Sequence, residues 1–141
     1  MASLSRLHTA EHILSAVMRK FYGAPRDLEF HLSEKKTKCA YQPHRELTED
    51  DFRQIESLVN AEIARDHRVR EEFLSRAAAA DFDLWKVPPE AGTIRIVRIG
   101  DFDAQPCSGQ HVNHTAEIGK FVLLSHEKRD EGRLRIRFKV E

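Results

Sequence analysis

The stretch RLRIRFKV, residues 133–140, constrains the fold most. Leu134, Ile136, Phe138 and Val140 alternate without interruption with Arg133, Arg135, Arg137 and Lys139. A side-chain period of two belongs to a β-strand with one covered face and one wet face. The preceding KFVLLSHEK (120–128) is apolar enough to pair with it, and Asp130-Glu131-Gly132 supplies the turn, so the two form a hairpin. The apolar face of such a hairpin needs a cover, which other segments of the chain must supply.

Residues 3–22 are the natural cover. Ser3 or Ser5 caps a helix that runs to about Tyr22, with Gly23 as its stop and Pro25 just beyond. Leu7, Leu14, Met18 and Phe21 form its apolar stripe. Two strands follow, DLEFHLS (27–33) and KTKCAYQ (36–42). A second helix opens on the capping box Thr48-x-x-Asp51 and shows Phe52, Ile55, Val59 and Ile63 on one face. RVREEFL (68–74) reads as a strand, SRAAAADF (75–82) as a short helix, WKVPPEAG (85–92) as a loop and TIRIVRIG (93–100) as a strand. Helices and antiparallel strands mix without βαβ regularity, so the class is α+β. The whole chain, 1–141, is expected to be one domain, long enough to bury a core.

Charge and cysteine content narrow the function classes. Lys plus Arg and Asp plus Glu both number 23, so a polyanion has to be attracted by a local patch rather than the global field. Two such patches exist: the Arg133, Arg135, Arg137 and Lys139 strand face, and the Lys35, Lys36, Lys38 turn. Two cysteines are too few for a disulfide scaffold and point to a cytoplasmic protein. No apolar run approaches the roughly 18 residues of a membrane span. Charges within the first periodic stretch argue against a signal peptide.

The chemistry lies in two pairs with the same offset. In RLHTAEHILSAV, His8 and His12 sit one helical turn apart, about 40° from each other around the axis, at the border of the apolar stripe. In QPCSGQHVNHTAEIG, Cys107 and His111 repeat the four-residue step in a loop. Together they make a His₃Cys set, and zinc favours tetrahedral nitrogen and sulfur ligation. The alternative for the second pair is a small buried cysteine beside a loop histidine. HTAEH also fits H-x-x-E-H, the inverted metalloprotease motif, with Glu11 as base and Glu56 or Glu62 as a candidate third ligand.

HTAEHIL near the start of a helix, followed far down the chain by GDFDAQPCSGQHVNHTAEIGKFVLL, resembles the editing domain of alanyl-tRNA synthetases. It resembles still more their free-standing relatives, the AlaX-type alanyl-tRNA editing proteins. The related module of threonyl-tRNA synthetases shares the H-x-x-x-H and C-x-x-x-H pattern. The resemblance covers essentially the whole chain. It implies a curled antiparallel sheet packed around the first helix, and one zinc ion at His8, His12, Cys107 and His111. It also implies hydrolysis, in trans, of a wrongly attached amino acid, mainly serine, from the acceptor end of tRNA for alanine. The family's Cys-Gly-Gly-Thr-His reads Cys107-Ser108-Gly109-Gln110-His111 here, and its Thr-Gly-(Glu/Asp)-Ile-Gly reads Thr115-Ala116-Glu117-Ile118-Gly119.

Editing of this kind answers a physical problem. A hydrophobic pocket rejects an added hydroxyl by only about 10²-fold, whereas a site built to hydrogen-bond the hydroxyl discriminates strongly against the amino acid lacking it. His31 and Gln110 are the candidates for that polar group, the alternative being a solvent-facing strand residue and a loop surface residue, and the Arg133–Lys139 face either meets tRNA phosphate or is simply solvated. No general base is assigned. The competing function is a non-catalytic module in which zinc is a staple and the pocket holds an RNA end or a partner.

Overall fold

A computed structural model describes residues 3–141. In chain order its elements are α1 (Leu4–Tyr22), β1 (Glu29–His31), β2 (Thr37–Tyr41), α2 (Glu49–Ala64), β3 (Val69–Ser75), β4 (Thr93–Ile99), β5 (Asp103–Pro106), β6 (Phe121–Lys128) and β7 (Leu134–Val140). Single 3₁₀ turns cover Thr115–Ile118 and Asp130–Gly132. The class is α+β, and every strand pairing is antiparallel.

The alternating strand sits inside the larger sheet, whose order is β1-β2-β7-β6. Leu134, Ile136, Phe138 and Val140 are buried, as the period of two requires. Their cover is α1, where Leu7, Ala10, Ile13, Leu14, Val17 and Met18 have no exposed surface. Ser3 caps its start by accepting from the Arg6 amide, and Gly23 ends it with φ of 68°. The second helix packs beside the first and closes the free edge of β6. Asn60 exchanges two hydrogen bonds with the Phe121 backbone (2.8 and 2.9 Å), and the Glu56 carboxylate accepts from the Leu123 amide at 2.8 Å. An edge strand is thereby given partners it would otherwise lack.

The smaller sheet, in the order β3-β4-β5, covers a satellite core of Ala79, Ile94 and Ile96 with Phe82, Leu84 and Val87 packed on it. Three expectations are corrected, and one strand is added. Residues 76–81 form consecutive turns, because an alanine run this short cannot offset helix nucleation. Ala79 is instead drawn into the satellite core. Residues 103–106, weak strand formers including a proline, are nonetheless the edge strand β5, because β4 offers them a pairing register from Ile99↔Asp103 to Ile96↔Pro106. Phe21 is 53 % exposed; Tyr22 takes the buried place at the end of α1 and donates to Gln54 Oε1 at 3.0 Å. The first strand shrinks to Glu29–His31. Among the described residues, no helix is long and apolar enough to cross a membrane.

Candidate metal centre

The i, i+4 spacing places His8 and His12 on one face of α1, and the loop after β5 passes over that face. One potential donor atom from each of His8, His12, Cys107 and His111 lies within 4.8 Å of all the others. The Cys107 Sγ atom is 3.4 Å from both His8 Nε2 and His111 Nε2. A zinc tetrahedron with Zn–N of about 2.0–2.1 Å and Zn–S of about 2.3 Å has edges of roughly 3.3–3.6 Å. The two sulfur–nitrogen edges already match. A further feature fits a cation: His12 is buried, and its Nδ1 has no hydrogen-bond partner among the described residues.

Neighbouring groups orient the donors. Thr9 Oγ1 gives its proton to the Ser5 carbonyl at 2.8 Å, so toward His111 Nδ1, 3.0 Å away, it can only accept. His111 therefore carries its proton on Nδ1 and turns an Nε2 lone pair to the cluster. The same threonine oxygen accepts from the Val112 amide at 3.2 Å. On the opposite side Arg95, in β4, donates to the carbonyls of Cys107 (2.8 Å) and Gly109 (2.7 Å), clamping the loop. Gly109 has to be glycine for room, since a Cβ there would stand 2.1 Å from His8 Cε1.

Electrostatics keep the imidazoles neutral. Burial lowers His8 to about 4, and burial with the neighbouring His8 lowers His111 to about 3. His12 is held well below the usual histidine range, again chiefly by burial. All three offer lone pairs at neutral pH. Burial pushes the Cys107 thiol up, so only a bound cation would favour its thiolate. Beside them burial, with Asp27 adding to it, raises the Glu11 carboxyl to about 8. Ser15 donates to Glu11 Oε2 at 2.5 Å and accepts from the Tyr41 hydroxyl at 2.8 Å, a chain running into the core.

His8, His12 and Cys107 line a cavity of about 840 Å³ between α1 and the smaller sheet. Its wall also carries Asp27, which pairs with Lys86 at 2.5 Å, together with Ser15 and Gln105. His31 is exposed and Gln110 is exposed, and neither lines this cavity. In the basic strand, Arg135 pairs with Glu29 (3.1 Å) and Glu127 (3.7 Å), Arg137 with Glu127 (3.8 Å) and Lys139 with Glu141 (3.2 Å); Arg133 is exposed. Most of that face's charge is balanced within the chain. Glu56 is bound to β6 and Glu62 to His67 at 2.7 Å, so neither acid joins the histidine pair as a third ligand. The trailing HTAEIG segment docks the loop: buried Thr115 donates to the Ile63 carbonyl at 3.2 Å and accepts from the His67 amide at 2.8 Å. Thr9, Arg95, Gly109, Asp27 and Lys86 are the site residues that sequence reasoning missed. Only the Gly109 position, inside a four-residue donor step, carried a local signal.

Residues 94–137 match the family described as threonyl and alanyl tRNA synthetase second additional domain. Alanine–tRNA ligase of Aeropyrum pernix is 32 % identical over 96 % of this chain, and that of Thermofilum pendens 32 % over 98 %. The ligase of Bdellovibrio bacteriovorus is 32 % identical over 92 %. The chain spans about 15–16 % of the length of these relatives. The matched family segment begins in β4 and runs through the Cys107–His111 loop into β7, so the likeness includes half of the donor set. The chain is a relative of the alanyl-tRNA synthetase editing domain.

Proposed function

We propose that the chain is a zinc-dependent hydrolase of aminoacyl-tRNA esters. In this reading it works in the cytoplasm on the acceptor end of tRNA for alanine and removes wrongly attached serine. The supporting observation is the convergence of three neutral imidazoles and one thiol at the wall of a cavity that admits a small group. That donor set suits zinc better than magnesium or calcium, which take oxygen. Zinc bound there supplies Lewis acidity toward water or an ester carbonyl.

The chain's own residues do the rest. Thr9 fixes the His111 tautomer, Arg95 holds the loop at its working distance, and the cavity wall encloses the aminoacyl group. Serine's hydroxyl meets Ser15 and Gln105 on that wall, in place of His31 and Gln110. An alanyl ester forgoes that added hydrogen bond, while Ser15 keeps Glu11 and Tyr41 and Gln105 keeps Asp103, so the preference for serine rests on a bond gained and not on a group orphaned.

One observation favours a second reading. Four protein donors within 4.8 Å make a closed shell, the arrangement of structural rather than catalytic zinc. Purified protein offered Ser-tRNA, Ala-tRNA and Thr-tRNA, with and without a chelator, separates the two. Metal-dependent loss of the seryl ester ahead of the alanyl ester is the expected result. Intact esters throughout, with zinc bound, would establish the non-catalytic module.

A further inference from the structure

The segment between β3 and β4 treats its apolar residues unequally. Phe82, Leu84 and Val87 pack into the satellite core, while Trp85, the only tryptophan of the chain, is left 45 % exposed. It stands on the wall of the cavity that holds the metal donors. Two ion pairs across the cavity keep it there: Lys86 to Asp27 at 2.5 Å, and Arg26 to Asp83 at 2.9 Å. Both cations also approach the ring, at 5.5 and 4.8 Å from its centroid, and the Trp85 amide donates to Asp83 Oδ1 at 3.3 Å.

A ring held in place with nearly half of its surface open is a platform awaiting a flat partner. The charges around it are already matched one to one, cation with carboxylate, so the spot has no surplus charge to recruit a phosphate. Arg26 and Lys86 meet part of the ring, and what stays open to the cavity is its exposed remainder. A nucleobase is the uncharged, flat group that an RNA end would bring there, and bases stack on aromatic side chains without needing a hydrogen-bond code.

We propose that Trp85 is the stacking platform for the 3′-terminal nucleobase of the RNA, holding the terminal ribose so that its ester reaches into the metal cavity. The inference rests on the aminoacyl-tRNA reading above and adds to it the residue that grips the nucleoside. Trp85 is a positioning residue: it binds the base and leaves the ester bond untouched.

Because Trp85 is the only tryptophan, its emission reports the site directly. The probes are uncharged tRNA for alanine with an intact 3′ end and the same RNA lacking its last nucleotide. The intact RNA is expected to change the emission saturably, and the shortened RNA to need about tenfold more for half-saturation. Equal responses to both RNAs, or no response to either, would overturn the proposal. In ester hydrolysis, Trp85→Ala is expected to raise KM about tenfold with kcat within about twofold, and Trp85→Phe to restore most of the loss. A variant whose loop is merely loosened would lower kcat or metal content as well, and that pattern also counts against stacking. Hydrolysis by the native protein with KM unmoved in Trp85→Ala sinks the platform and spares the hydrolase. Emission changes specific to the intact end, without hydrolysis of any ester, sink the hydrolase and spare the platform.

Discussion

The hydroxyl oxygen of Thr9 lies 3.0 Å from Nδ1 of His111, joining the helix that carries two imidazoles to the loop that carries the third. Its proton is committed to Ser5, so the contact selects one tautomer of His111. Thr9→Val keeps the volume and removes the acceptor. It is expected to weaken zinc binding by about 10–100-fold, the usual effect of losing an outer partner of a ligating histidine. Thr9→Ser should remain within a few-fold of native. Competition with a chromogenic chelator measures both.

Gly109 makes a second test of the same loop. The ring of His8 occupies the place of its missing side chain. Gly109→Ala must push either the loop or His8 aside, so the zinc retained after loading with excess metal and dialysis should fall well below one per chain. Ser108→Ala, at an exposed neighbour, should leave it unchanged. Elemental analysis of the two purified variants decides the matter.

Metal removal should be visible in stability. A ligand at a thousandfold over its Kd stabilises the folded state by about 4 kcal/mol, provided it ignores the unfolded chain. For a chain of this size that corresponds to a rise in melting temperature on the order of 10 °C. Calorimetry with and without chelator is expected to show a shift of that order, abolished in His12→Ala. A native protein whose melting is indifferent to the chelator would mean that the four donors hold no ion.

The sequence made α1 and the β6–β7 hairpin legible because each follows one clean period over many residues, and periodicity is set by burial. The four donors were legible as two pairs; that the pairs meet was inferred from the chemistry of a His₃Cys set and strengthened by the family resemblance, since spacing alone does not say how a chain returns on itself. The supports were invisible for the same reason. Thr9 and His111 are 102 positions apart, and Arg95 reaches carbonyls that carry no sequence signature. His31 shows what alternation should have excluded. Neighbours on a strand face opposite ways, so with Phe30 on the cavity wall, 5.3 Å from the His8 ring, His31 must point outward. The helix expected over 75–82 weighed alanine propensity without the nucleation cost of so short a run.

The capping box of α2 allows a prediction about acid. Asp51 receives Arg45 at 2.7 and 2.8 Å and the Thr48 amide at 2.7 Å. The Arg45 guanidinium above all, with the Thr48 amide second, holds its carboxyl well below the usual carboxylate range. A carboxyl depressed in the folded state binds fewer protons there than in the unfolded chain, whose value is about 3.9. Its contribution is therefore complete above about pH 5 and is lost as pH falls through about 4 toward the lower folded value. Asp51→Asn should be less stable than the native chain at neutral pH, and the two should converge in strong acid. Thr48→Ala removes the other half of the box and should cost about 1 kcal/mol, with a weaker pH dependence than Asp51→Asn because its hydroxyl is only one of the donors to the carboxylate. Urea midpoints measured from about pH 2 to about pH 7 distinguish these shapes. A constant gap between Asp51→Asn and native protein across that range would show that the carboxylate's charge is not what holds this helix start.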